Sequence, residues 1–123
     1  MRKLLLDVFE PCLKDYEYKT IGNSIVIVLD ENRRIECSFY NTHSIDVYDA
    51  IIFTLTSKIN GQINKKIVKF SSLFDCMQDL THPNKIGKHI WVSNMKYRWY
   101  GKPTSADIQN MRNELINYIE IWK

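Results

Sequence analysis

Three cysteines, Cys12, Cys37 and Cys76, and three histidines, His43, His82 and His89, are the side chains of this 123-residue chain that could form a thiolate–imidazole pair. A cysteine attacks as its thiolate, so it needs a base or cation nearby to lower its pKa. Cys12 and Cys37 fall on apolar stripes, where cysteine behaves as a small hydrophobe. Cys76, with His82 or His89 downstream, is the arrangement to weigh for nucleophilic catalysis, and no local signature accompanies it. The same residues fit no zinc spacing, since the chain has neither Cys-x-x-Cys nor His-x₃-His. His82, in Thr-His-Pro-Asn, reads as a turn residue.

Carboxylates are spread through expected helices and turns as Asp7, Glu10, Asp15, Asp30, Glu31, Asp46 and Asp49. Asp46 and Asp49 flank Tyr48, but no third group converges on them, so they read as solvated surface. Glycines occur singly, as Gly22, Gly61, Gly87 and Gly101, which leaves no phosphate-cradling loop. The expectation is a protein that is not an enzyme, with no catalytic residue, no metal and no cofactor.

The remaining chemistry is charge. Net charge is +3, unevenly distributed. Residues 1–50 carry six Lys/Arg and nine Asp/Glu, residues 51–102 nine and two, and residues 103–123 two and three, giving −3, +7 and −1. Segregation of this kind points to a basic surface patch. The lysines of Ser57–Lys66 are its densest part, and they surround Asn60-Gly61, a tight-turn dipeptide between two runs of strand formers. A two-residue type I′ turn would set Ile59 opposite Gln62 and Lys58 opposite Ile63. One face of this hairpin would then hold Ile51, Phe53, Leu55, Val68 and Phe70. The other would hold Ile52, Thr54, Thr56, Lys58, Lys65, Ile67 and Lys69, with Lys66 on the apolar face near the tip.

Other elements must position this patch. Residues 3–16 carry a helical stripe of Leu5, Val8 and Cys12 flanked by Leu6, Phe9 and Leu13. Pro11 either kinks this helix or opens a second short one. Ser24–Asp30 is apolar on both faces, as a central strand is. In Arg34–Tyr40, Ile35, Cys37 and Phe39 alternate with Arg34, Glu36, Ser38 and Tyr40. Ile45–Asp49 reads as a short strand or an irregular approach to the hairpin. Ser71–Leu80 reads as a short helix with Ser72 and Asp75 resembling a capping box. Ile90–Tyr100 reads as one long strand, with Trp91, Met95, Tyr97 and Trp99 on one face and Asn94, Lys96, Arg98 and Tyr100 on the other. The last helix starts at Thr104 or Ser105 and aligns Ile108, Met111, Leu115, Tyr118 or Ile119, and Trp122.

The fold class expected is α+β, in the order α-β-β-(β)-β-β-α-β-α. A mainly antiparallel sheet of four to five strands would carry helices on one face, within one domain spanning 1–123. Phe39, Phe53, Trp91 and Leu115 should be buried together. The open face would gather Lys58, Lys65, Lys69, Lys96, Arg98 and Tyr100 as binding residues. The lysines would supply attraction, Arg98 a two-pronged contact, and Tyr100 a stacking or anchoring ring. The alternative is that alternating lysines on this face only solubilise the sheet and guard its edge.

Composition is ordinary for a globular chain, with 45% hydrophobic and 25% charged residues, and no apolar run reaches membrane-spanning length. The N-terminal leucines are interrupted by Asp7 and Glu10, unlike a signal peptide. Three widely spaced cysteines fit a reducing cytoplasm better than a disulfide framework. The sequence is rich in Ile, Asn, Lys and Tyr and has two alanines. Its size and composition suit a small interaction or inhibitor protein of the kind a phage or mobile element encodes. Such a protein would bind a macromolecular partner, protein more than nucleic acid, with no membrane involved. The alternative is a single-stranded nucleic-acid-binding module using the same Tyr-bearing basic face, although it lacks an RNP-like sequence, a helix-turn-helix and a Gly-x-x-Gly clamp.

Overall fold

The computed structural model describes residues 2–40, 47–48, 50–69, 90–93, 97–99 and 105–123. Helix α1, Arg2–Phe9, runs into a 3₁₀ turn over Glu10–Cys12. Pro11 lies at the start of that turn, where its missing N–H costs nothing, so the chain turns there without a kinked long helix. The Leu13 N–H closes the turn on the Glu10 carbonyl at 3.0 Å.

Strands β1 (Glu17–Ile21), β2 (Ser24–Val28), β3 (Arg33–Tyr40), β5 (Ala50–Ser57) and β6 (Ile63–Lys69) form an antiparallel sheet in the order β1-β2-β3-β5-β6. β1 is a strand that the sequence pattern did not single out. Gly22-Asn23 is a two-residue hairpin turn between β1 and β2, with Gly22 at φ +58° and no positive φ at Asn23. That combination is the type II′ pattern, which needs glycine first. β2, flanked on both sides, has the doubly apolar composition of an internal strand.

A second, three-stranded antiparallel ladder consists of β4 (Val47–Tyr48), β7 (Ile90–Ser93) and β8 (Tyr97–Trp99). The single long strand expected over Ile90–Tyr100 is therefore corrected. The segment folds back so that Trp91 faces Arg98 across a ladder. Alternation of apolar and polar residues persists through a reversal, so periodicity alone cannot detect one. The short helix expected at Ser71–Leu80 lies outside the described residues.

Helix α2, Ser105–Trp122, is the last element. Its stripe buries Met111, Leu115, Tyr118 and Ile119, with Ile108 and Trp122 partly covered. These side chains, with Leu5, Val8, Phe9 and Leu13, pack on one face of the five-stranded sheet against Ile25, Ile27, Ile35, Cys37, Phe39, Ile51, Phe53, Leu55 and Val68. Phe39, Phe53 and Leu115 are buried together as expected; the Trp91 side chain lies outside what is described. Two polar side chains of α2 tie it to its neighbours. Arg112 Nε donates to the Val8 carbonyl at 2.5 Å, satisfying an end-of-helix acceptor of α1. The Tyr118 hydroxyl donates toward the Asn64 carbonyl at 2.9 Å and Asn64 Oδ1 at 2.7 Å, which ties α2 to β6.

Candidate functional site

The face of the five-stranded sheet turned away from the helices is laid out by its register. One row runs Glu17, Val28, Arg34, Thr56, Ile63 across β1, β2, β3, β5 and β6. The next runs Lys19, Val26, Glu36, Thr54, Lys65. Beyond these come Ser38, Ile52 and Ile67, then Tyr40, Ala50 and Lys69. Among the described residues this face holds Lys19, Arg34, Lys65 and Lys69 against Glu17 and Glu36, a balance of +2. It is also apolar: Ile63 is 62% exposed, Ile67 45% and Ile21 50%, and Tyr40 is exposed beside them. The face is therefore mixed, with isoleucines set between cations, and less basic than the lysine count alone suggests.

The hairpin that carries Lys65 and Lys69 differs in detail from expectation. Thr56 pairs with Ile63, and the Ser57 N–H donates to the Gln62 carbonyl at 2.9 Å. The connection is thus Lys58-Ile59-Asn60-Gly61, and the ladder is displaced by two residues from the two-residue Asn-Gly turn. Two contacts favour the longer loop. The Lys58 N–H donates to the Asn32 carbonyl at 2.8 Å, outside the hairpin, and Asn60 Oδ1 accepts from the Gln62 N–H at 3.0 Å. Gly61 takes φ +65°, as the loop exit requires. A displacement of two leaves each side chain on its expected face, because strand periodicity is two. Lys66 accordingly stays on the helix-facing side, opposite Phe53, where its ammonium reaches Glu114 of α2 at 3.2 Å.

Of the six binding residues expected from sequence, Lys65 and Lys69 share the outer face of β6. Lys58 lies in the adjoining loop, exposed. Arg98 is not brought onto this sheet: it belongs to β8 in the three-stranded ladder. That corrects the single basic face read from the sequence, because the strand carrying Arg98 pairs with β7 instead of extending the larger sheet. Lys96 and Tyr100 lie outside the described residues.

Two cations that sequence reasoning passed over join Lys58. Lys19, Arg34 and Lys58, with Val26, Val28 and Thr56, line a concavity of about 180 Å³ at the end of the sheet bounded by the β2–β3 turn. Lys19 was missed because β1 was not recognised; the Gly-Asn dipeptide between two runs of strand formers is the signal that reveals it. Arg34 was read as outward-facing but not as part of a site.

The rim of the concavity is tightly held. Asp30 Oδ1 accepts from the N–H groups of Asn32 and Arg33, both at 2.8 Å, and Asp30 Oδ2 accepts from Arg33 Nε at 2.8 Å. Arg33 Nη1 donates to the Trp122 carbonyl at 2.6 Å, anchoring the turn to the end of α2. The Arg33 guanidinium, then the Asn32 amide, hold the Asp30 carboxyl below its ordinary range.

The thiols occupy a different setting. Cys37 is fully buried in the core, and burial pushes its pKa well above that of a free thiol. Cys12 is half-buried, also raised by burial, and its thiol donates to the Phe9 carbonyl at 3.1 Å. Both disfavour the reactive thiolate. Cys76 and the three histidines lie outside the described residues. Among the described residues no group of three or more His, Cys, Asp or Glu side chains could hold a metal ion, and no helix is long and apolar enough to cross a membrane. Comparison with known proteins found no matching family model, no matching curated protein and no matching solved structure.

Proposed function

We propose that this chain is a small, non-enzymatic interaction protein that binds a protein partner through the outer face of its five-stranded sheet. The observation that carries it is the set of exposed isoleucines, Ile63 and Ile67 above all, between cations on a face backed by a packed core. Branched aliphatic side chains gain by being covered and offer no π-face to a base, so they suit a protein surface better than a nucleic acid. Lys65 and Lys69 then steer an acidic partner onto the face, and the isoleucines supply the contact area. An inhibitor would act in this way, by occupying its partner's surface. The two described cysteines are free thiols, which suits work in the cytoplasm.

Binding of single-stranded nucleic acid is the weaker alternative. Tyr40 is the aromatic ring exposed on the described part of the face, and a stacking track needs several. The test is a pull-down from cell extract, with and without nuclease, using the wild type beside an Ile63→Asp/Ile67→Asp variant. A protein captured by the wild type despite nuclease, and lost by the variant, supports the proposal. Capture that nuclease abolishes, or that the variant retains, refutes it.

A further inference from the structure

We infer that the concavity lined by Lys19, Arg34, Lys58 and Thr56 is a carboxylate-binding site, which takes an acidic side chain of an extended partner segment lying across the outer face. This rests on the protein-binding function proposed above and adds to it a defined ligand group at a defined place.

The first ground is charge left over. Six charged side chains line the concavity: Lys19, Arg33, Arg34 and Lys58, and Asp30 and Glu31. Arg33 and Asp30 neutralise each other through a 2.8 Å ion pair and are further held by backbone groups. What remains is Lys19, Arg34 and Lys58 against Glu31, a balance of +2. Glu17 shares the face with Lys19 but does not line the concavity. Glu36 accepts from the Ser24 hydroxyl at 3.1 Å on the far side of Val26. Three like charges gathered at one recess repel one another, and an entering anion relieves that.

The second ground is that the backbone around the recess is fixed before anything binds. Lys19, Arg34 and Lys58 come from β1, β3 and the β5–β6 loop, three separate stretches of chain. The loop is clamped to the β2–β3 turn by the bond from the Lys58 N–H to the Asn32 carbonyl, and the turn is clamped by Asp30. Arg34 pairs with Val28 on one side and Thr56 on the other, so its guanidinium fork and the Thr56 hydroxyl serve the same recess. A clamped backbone leaves only the side chains to be ordered when a ligand binds.

The third ground selects the carboxylate's carrier. The floor is Val26 and Val28, and the row that holds Arg34 ends on exposed Ile63. A glutamate or aspartate stem has methylene groups to lay on the valines, and a neighbouring apolar residue of the same segment would cover Ile63. A nucleic-acid phosphate has no such stem, and its attached sugar is polar.

The test uses a labelled hexapeptide alternating glutamate and valine, and its glutamine–valine counterpart, in anisotropy titrations of the full chain. We expect the glutamate peptide to bind at least about 10-fold more tightly, since charge-assisted hydrogen bonds to Arg and Lys carry the difference. Arg34→Gln and Lys58→Gln should each weaken it by about 10-fold, while Lys14→Gln, exposed in the turn before β1 and outside the recess, should change it by less than about 3-fold. Urea melts establish that each variant folds, and Arg34→Lys, which keeps the charge but loses the fork, should recover only part of the loss. Equal binding of the two peptides overturns the inference, as does an effect of Lys14→Gln as large as that of Arg34→Gln. Tighter, saturable binding of a single-stranded oligonucleotide, lost in Arg34→Gln, overturns it in favour of phosphate. If the Ile63→Asp/Ile67→Asp pair loses its captured protein while Arg34→Gln keeps it at full strength, the protein-binding function stands and the carboxylate site falls.

Discussion

Leu115→Ala should be among the most damaging single changes in α2. Leu115 is 0% exposed and belongs to the cluster that joins α2 to Ile51 and Phe53 of β5 and to Leu5 and Phe9 of α1. The substitution deletes three buried carbons, worth about 0.8 kcal/mol each in lost transfer free energy, or about 2.4 kcal/mol. The space left behind adds to this, because neighbours on a sheet and a second helix relax only in part. The total comes to about 3–4 kcal/mol. Unfolding entropy scales at about 2.1 cal/mol/K per residue, which for 123 residues is about 0.26 kcal/mol/K. The melting temperature should therefore fall by about 12–15 °C. Urea melts followed by circular dichroism measure the loss directly, with an unchanged slope showing that the folded and unfolded states keep their extents. Ile121→Ala on the same helix is the control: Ile121 is 68% exposed, so its loss should stay within about 0.5 kcal/mol. A loss for Leu115→Ala below about 0.5 kcal/mol, or one equal to that of Ile121→Ala, would show that α2 does not lie on the sheet in this way.

Tyr118→Phe keeps the ring against Phe53, with centroids 5.5 Å apart, and removes only the hydroxyl that reaches Asn64; a loss of about 1 kcal/mol in the same melts is expected. Asp30 has a folded pKa below the ordinary value of 3.8, so its stabilisation is present above that value and is lost as pH falls through the folded one. Urea midpoints measured from pH 7 down to pH 2 should therefore decline less steeply at the acid end in Asp30→Asn than in the wild type, and parallel curves would contradict the Asp30–Arg33 pairing. Cys37 should resist alkylation by iodoacetamide in the folded chain and react fully in urea, as read by peptide mass mapping; rapid native labelling would contradict its burial.

Local chemistry determined much of the fold. The doubly apolar run Ser24–Val28 became an internal strand, and the alternation in Arg33–Tyr40 buried Ile35, Cys37 and Phe39 as its phase requires. The stripe of α2 was legible for the same reason, since a helix must bury one face and the 3.6-residue period identifies it. Even the hairpin faces survived a mistaken register, because an error of two residues in a period of two changes no side chain's direction. Lys65 and Lys69 were therefore placed on the outer face from sequence alone.

Only the tertiary structure decided which strands meet. Alternation states which way a side chain points within its own strand and contains nothing about the neighbouring one. Arg98 was thus joined to the wrong sheet. The same gap hid the recess of Lys19, Arg34 and Lys58, residues far apart in the chain that converge because β1 pairs with β2, β3 with β5, and the Lys58 amide with the Asn32 carbonyl. Long-range pairing is set by the shared burial of faces and by single hydrogen bonds between distant loops, and neither leaves a periodic trace in the sequence.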